Sequence, residues 1–186
     1  IIISASDEPG EGEHKIFEYI RTHQDEHKNS NTIIYGLDAD LIMLTLNHLR
    51  ICNNLFLYRE TPEFIKSIKS INSSLDPNAL YIMDIPELSN VIIERMTNNT
   101  KKTSVTSSTN VTSSTNVTNY LYDYIFICFL LGNDFMPHFP AINIRTNGID
   151  YLLNAYKEVI NKANKANKAN EFLTNGHSIN WKVFRQ

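Results

Sequence analysis

The stretch Thr32-Ile33-Ile34-Tyr35-Gly36-Leu37-Asp38-Ala39-Asp40-Leu41-Ile42-Met43-Leu44 decides the fold. Its first four residues are β-branched or aromatic and read as a short strand, and its last four open an apolar helix that runs to Leu49. Gly36-Leu37-Asp38 closes the strand at its carboxyl end. Asp40 then stands near the helix N-terminus, where an anionic group is placed by geometry and weakly favoured by the macrodipole.

The same grammar recurs outward from this point. Ile1–Ala5 reads as a buried strand leading through Pro9-Gly10-Glu11-Gly12-Glu13-His14-Lys15 into a helix whose Ile16, Phe17 and Ile20 share one face. Phe56–Arg59 and Leu80–Met83 read as further strands, and Pro86 with Glu87 opens a helix to about Met96. Strands alternating with helices predict an α/β domain with a mixed, mostly parallel sheet flanked by helices. In such sheets ligands gather outside the carboxyl ends of the strands, which is where both acid pairs fall.

The rest of the chain is helical or of low complexity. Tyr120–Leu131 is almost wholly apolar and reads as a buried helix that breaks at Gly132-Asn133-Asp134-Phe135-Met136-Pro137-His138. Thr146 or Asn147 would cap a helix in which Ile149, Leu152, Leu153, Tyr156, Val159 and Ile160 recur at amphipathic spacing. Residues 98–119 contain only Asn, Thr, Lys, Ser and Val, with the hexapeptide Thr-Ser-Ser-Thr-Asn-Val repeated at 106–111 and 112–117. Such a tract cannot bury enough apolar surface to offset its ordering entropy, so it is expected to be a disordered insertion. An Asn-Lys-Ala repeat over 161–170 reads as an extended solvent-facing helix or a loose linker.

Composition bounds the function classes. A chain of 186 residues with 42% hydrophobic and 20% charged residues has room for one good core, so a single domain is expected, and the start at Ile1 without methionine reads as a fragment of a longer protein. No apolar run approaches the roughly 20 residues that span a bilayer, so no membrane partner is expected. Two cysteines are too few for a disulfide framework, and an intracellular setting, cytoplasmic or nuclear, fits best. The net charge of −3 argues against a simple nucleic-acid-binding module, although a nuclease can pair an acidic metal centre with a basic channel elsewhere.

Taken singly, each acid has a plain structural reading. Glu11 and Glu13 could be first-turn helix residues, Asp38 or Asp40 an N-cap, and Asp134 a turn acid. Together, carboxylates gathered at one end of a sheet would repel one another unless a cation neutralised them. Hard cations such as Mg²⁺ and Mn²⁺ take oxygen ligands, and the small residues between the acids allow close approach. Two such ions roughly 4 Å apart can activate water and stabilise a leaving oxygen at a phosphodiester. His14 and His138 lie beside the acids as possible ligands or proton donors, with packing the commoner role. Lys15, Arg21 and Arg145 are the nearest cations and could contact phosphate, Arg21 reading more readily as solvated surface.

Three ordered blocks, Pro9–Ile16, Tyr35–Leu44 and Phe129–His138, resemble successive blocks of the Xrn family of 5′-to-3′ exoribonucleases, and the likeness extends to Ile144-Arg145 and Gly148-Ile149-Asp150. That resemblance implies a partial nuclease domain over 1–186, related to PIN and flap-nuclease folds. It implies a centre for Mg²⁺ or Mn²⁺ and assigns Glu11, Glu13, Asp38, Asp40 and Asp134 as catalytic metal ligands, with two further family acids, the 5′-phosphate pocket and part of the base-stacking contacts lying upstream. The implied substrate is single-stranded RNA with a 5′-monophosphate, degraded processively to mononucleotides. The competing readings are a flap-type structure-specific DNA nuclease, for which no helical DNA clamp is evident, and a non-catalytic RNA-binding or scaffold relative, which would tolerate loss of the acids.

Overall fold

The computed structural model describes residues 1–59, 80–97, 115–165 and 171–186. The chain divides into two compact units, Ile1–Pro86 and Glu87–Gln186.

In the first unit, α1 (Gly12–Thr22) and the short α2 (Gln24–His27) precede β1 (Asn31–Tyr35), α3 (Asp40–His48), β2 (Asn54–Tyr58) and β3 (Ile82–Asp84). β1 and β2 pair in parallel, with Ile34 opposite Leu57 and Tyr35 opposite Tyr58, and α3 is the crossover between them. β3 lies antiparallel to β2, with Asp84 opposite Phe56. The sheet is therefore mixed as expected, with one pairing of each kind among the described strands. Period-two burial follows from the pleat: Ile34, Leu55 and Leu57 are buried against the helical layer that contributes Phe17, Ile20, Leu41, Leu46 and Leu49. Full burial of side chains of this size stabilises by about 1.5–3 kcal/mol each.

Several boundaries differ from expectation. Ile1–Ala5 is not a strand: Ile1, Ile2 and Ile3 are all exposed. A strand exists only as a pairing, and no described strand lies beside this one; apolar character alone supplies no partner. β3 starts two residues after Leu80 because its bounds follow its register with β2. Ile16 faces solvent, since the buried face of α1 centres on Phe17 and Ile20.

Gly36 illustrates how tightly the first unit turns from β1 into α3. A Cβ at this position would lie 2.2 Å from Leu41 Cδ1, and Leu41 is buried. Gly36→Ala is therefore expected to push Leu41 out of place at a cost of about 1–3 kcal/mol, measurable by urea unfolding.

The second unit is helical. α4 (Ile85–Thr97) begins at the unit boundary, α5 spans Thr115–Phe129, a 3₁₀ turn spans Ile144–Thr146, α6 spans Gly148–Lys165 and α7 spans Trp181–Phe184. The start of α5 makes 115–119 helical, whereas the sequence placed these residues in the low-complexity insertion; 98–114 lie outside the described residues. α6 carries the helix into the Asn-Lys-Ala repeat as far as Lys165, and the rest of that repeat lies outside the described residues. α5 and α6 pack together, burying Leu121, Ile125, Ile127, Leu153, Tyr156 and Ile160. The Asn147 carbonyl accepts from the amides of Asp150 (3.0 Å) and Tyr151 (3.2 Å), opening α6. No helix among the described residues is long and apolar enough to cross a membrane.

Candidate metal centre

Four of the five acids singled out from the sequence lie in the first unit, as two pairs. Glu11 is the N-cap residue of α1, in extended conformation, and its side chain makes no capping hydrogen bond. Glu13 sits in the first turn of the same helix, and Glu11, Glu13 and His14 offer ligand atoms within 4.8 Å of one another. Asp38 lies beyond the carboxyl end of β1 and accepts from the Asp40 amide at 3.2 Å, while Asp40 opens α3. The two acid pairs feel each other. The Glu13 carboxyl is pushed above its ordinary range, first by burial and then by the negative charges of Asp38, Asp40 and Glu11, with His14 opposing the shift.

The scaffold under these acids is built from backbone contacts. Lys15 donates from Nζ to the carbonyls of Ala5 (2.9 Å) and Glu8 (2.7 Å), tying the loop that leads to Glu11 onto α1. The Gly36 amide donates to the Tyr58 carbonyl at 3.2 Å, and Arg59 donates to the Leu37 carbonyl. The turn bearing Asp38 and Asp40 is thus braced against the end of β2.

Asp134 belongs to the second unit, on an exposed turn after α5. Gly132 has φ +84°, and a Cβ there would come within 2.7 Å of the His138 amide nitrogen, so glycine lets the chain reverse. The Asn133 side-chain oxygen accepts from the amides of Phe135 (3.0 Å) and Met136 (2.8 Å), an Asx turn, and the Phe139 amide donates back to the Leu130 carbonyl at 2.8 Å. Asp134 therefore projects from a loop whose backbone is fixed on both sides. His138 is exposed and spends Nδ1 on the Phe139 carbonyl at 3.1 Å. The Arg145 side chain is exposed as well.

Sequence reasoning overlooked the cations and histidines that hold the scaffold. Arg21 does not point freely into solvent: its Nη1 lies 3.0 Å from Nε2 of His48. His48 falls one turn after Thr45 and two turns after Leu41 on the core-facing stripe of α3, a spacing that marks it as buried.

Comparison with known proteins adds the lineage. Residues 1–61 match the family model described as XRN 5′-3′ exonuclease N-terminus, and residues 114–185 match the one described as Xrn1 helical domain. The chain belongs to the Xrn family. The first matched stretch holds Glu11, Glu13, Asp38 and Asp40, and the second holds Asp134. Among curated Xrn relatives, 5′-3′ exoribonuclease 2 of Kluyveromyces lactis is 33% identical over 170 residues, covering 88% of this chain and 17% of the relative. The 5′-3′ exoribonuclease 1 of Schizosaccharomyces pombe is 33% identical over 166 residues, covering 88% and 12% respectively. The 5′-3′ exoribonuclease 2 of Yarrowia lipolytica is 34% identical over 160 residues, covering 84% and 14%. The chain thus spans less than a fifth of the length of these Xrn relatives.

Proposed function

We propose that this chain carries most of the metal-binding half of a 5′-to-3′ exoribonuclease site, acting on single-stranded RNA with a 5′-monophosphate and releasing mononucleotides. The observation that carries the reading is the placement of two acid pairs, Glu11 and Glu13 opening α1 and Asp38 and Asp40 between β1 and α3, near enough for their charges to act on one another, in a family whose relatives are named exoribonucleases. Like charges held this close are stabilised when a divalent cation joins them, and all-oxygen donors suit Mg²⁺ or Mn²⁺. The acids present therefore fit such an ion. Glu11, Glu13, Asp38 and Asp40 would hold it, and the family resemblance assigns Asp134 and further upstream acids to the same role.

When bound, the metal would supply an activated water and charge neutralisation at the scissile phosphate. The protein's part is positional. Lys15 and Arg59 hold the two acidic loops by their carbonyls, so the carboxylates are presented from fixed backbone. Holding them in register in advance removes reorganisation from the chemical step.

Glu13 gives a test without RNA. Its raised carboxyl binds a proton more tightly in the folded chain than in the unfolded one, so its ionisation costs stability. That cost is absent below the ordinary glutamic acid range and complete once the pH has risen through the raised value. Glu13→Gln is therefore expected to raise the melting temperature of the metal-free chain at pH 7 and to abolish the further rise on adding Mg²⁺, read by thermal melts between pH 4 and 8.

The activity itself is tested by assaying this chain beside an upstream-extended version on 5′-monophosphate, 5′-hydroxyl and 5′-triphosphate RNA, with Mg²⁺ or with chelator. Metal-dependent release of mononucleotides from the 5′-monophosphate substrate by the extended chain is expected. A folded, metal-loaded extended chain that releases none would overturn the reading.

A further inference from the structure

α1 and α3 lie side by side in the same direction. Their first turns bring Glu13 within reach of the charges of Asp38 and Asp40, and their last turns bring Arg21 onto His48. At the acid ends the two helices repel. At the other end a polar contact between Arg21 and His48 joins them, and its chemistry is specific.

His48 is almost fully buried, and both ring nitrogens are used. Nδ1 lies 2.7 Å from the Leu44 carbonyl, which can only accept, so Nδ1 carries the proton. Nε2 lies 3.0 Å from Arg21 Nη1, which can only donate, so Nε2 must present its lone pair. Only the neutral Nδ1–H imidazole satisfies both partners. Arg21 is held in turn by Glu18, whose carboxylate accepts from Nε at 3.2 Å and also from Nη2, and the Phe17 ring lies 4.4 Å from the imidazole, tilted by 31°.

We infer that the Arg21–His48 hydrogen bond is a tether that holds α1 against α3 and so sets, from about 12 Å away along the helices, the spacing between the two acid pairs. His48 and Arg21 are positioning residues: neither reaches the acids, and they act through the angle between two helices. The device resembles an outer-shell partner of a metal site, except that it orients elements instead of single ligands. Its significance for metal binding rests on the functional reading above, while the tether itself does not.

The tether is also sensitive to acid. Among the described residues the charged groups around His48 are Arg21 with its partner Glu18 on α1 and Arg50 just beyond α3; burial first, then the two arginines, hold the imidazole below its ordinary range, opposed by the hydrogen bond to Leu44. It is neutral, and the tether intact, above the ordinary histidine range, and the contribution is lost as the pH falls through the lowered value. A protonated Nε2 would set two cations against each other.

The test places bio-orthogonal nitroxide labels at Ile16 and Met43, one turn into each helix, and measures their separation in the metal-free chain at pH 7.5. Arg21→Leu and His48→Leu are expected to lengthen and broaden the distance distribution. His48→Gln, whose side-chain carbonyl can accept from Arg21, should restore it. In parallel, the Mn²⁺ dissociation constant should rise about tenfold in the two leucine variants and not in His48→Gln. If His48→Leu fails to fold, Arg21→Leu decides, since its side chain is 40% exposed and lies outside the core. A wild-type distance distribution in Arg21→Leu would overturn the tether. A wild-type chain that binds no Mn²⁺ would overturn the metal reading instead, and the label distances would still decide the tether.

Discussion

Replacing Asp40 with asparagine is expected to lower RNA hydrolysis by the extended enzyme on the order of a thousandfold or more, with the fold intact. Asp40 opens α3 from the braced turn after β1, so its carboxylate is presented by backbone that the substitution leaves alone. The amide is nearly isosteric and keeps one oxygen, but it cannot supply the negative charge that a hard cation requires. In the metal-free chain the same change removes one of the charges acting on Glu13, so the melting temperature should hold or rise. Loss of turnover with gain of stability separates a ligand from a structural residue, because a structural acid would lose both. Single-turnover cleavage and thermal melts on the same preparation read the two effects. Unaltered turnover in a folded Asp40→Asn enzyme would remove Asp40 from the metal centre.

The second large effect lies in the helical unit, away from the chemistry. Asp123 is fully buried in α5, and its carboxylate accepts from Tyr156 Oη (2.8 Å) on α6 and from the amides of Leu173 (2.9 Å) and Thr174 (2.8 Å). One side chain thus joins two helices and the segment that leads to α7. Asp123→Ala would orphan three donors and is expected to cost about 3–5 kcal/mol, since each unsatisfied buried group costs roughly 1–3 kcal/mol. Asp123→Asn keeps an accepting oxygen and should cost less. The pH dependence carries a signature of its own. Burial raises the Asp123 carboxyl to about 6, against the hydrogen bonds that lower it. The folded chain therefore holds this proton more tightly than the unfolded one, and its contribution to stability is full below about pH 4 and falls away as the pH rises through 6. The change is on the order of 3 kcal/mol. Urea unfolding from pH 4 to 8 should show that decline in the wild type and not in Asp123→Asn. An Asp123→Ala chain within about 1 kcal/mol of wild type would contradict the role.

What was legible in the sequence was local. The β1–α3 unit could be read because strand period, a glycine and helix period follow one another within a dozen residues, and the acids could be picked out because small residues separate them. The register of β3 and the state of Ile1–Ile3 could not, since both depend on strands far away in the chain or absent beside them. Two signals were present and passed over. Asp123 is a lone acid inside an apolar helix, and a buried carboxylate must find donors, here supplied from 33 to 51 positions away. His48 sits on the core stripe of α3, and its partner on α1 is 27 positions upstream. Spacing can show that such a residue is buried; only the fold shows what satisfies it.

The most direct test of the account is a Mn²⁺ titration of the isotopically labelled chain, following paramagnetic broadening of assigned amides at substoichiometric metal. The proposed centre predicts that Glu11, Glu13, Asp38 and Asp40 broaden together, that Mg²⁺ competes the effect away, and that Glu13→Gln weakens it at all four positions. Broadening confined to one acid pair, or absent from both, would contradict a single centre built from Glu11, Glu13, Asp38 and Asp40.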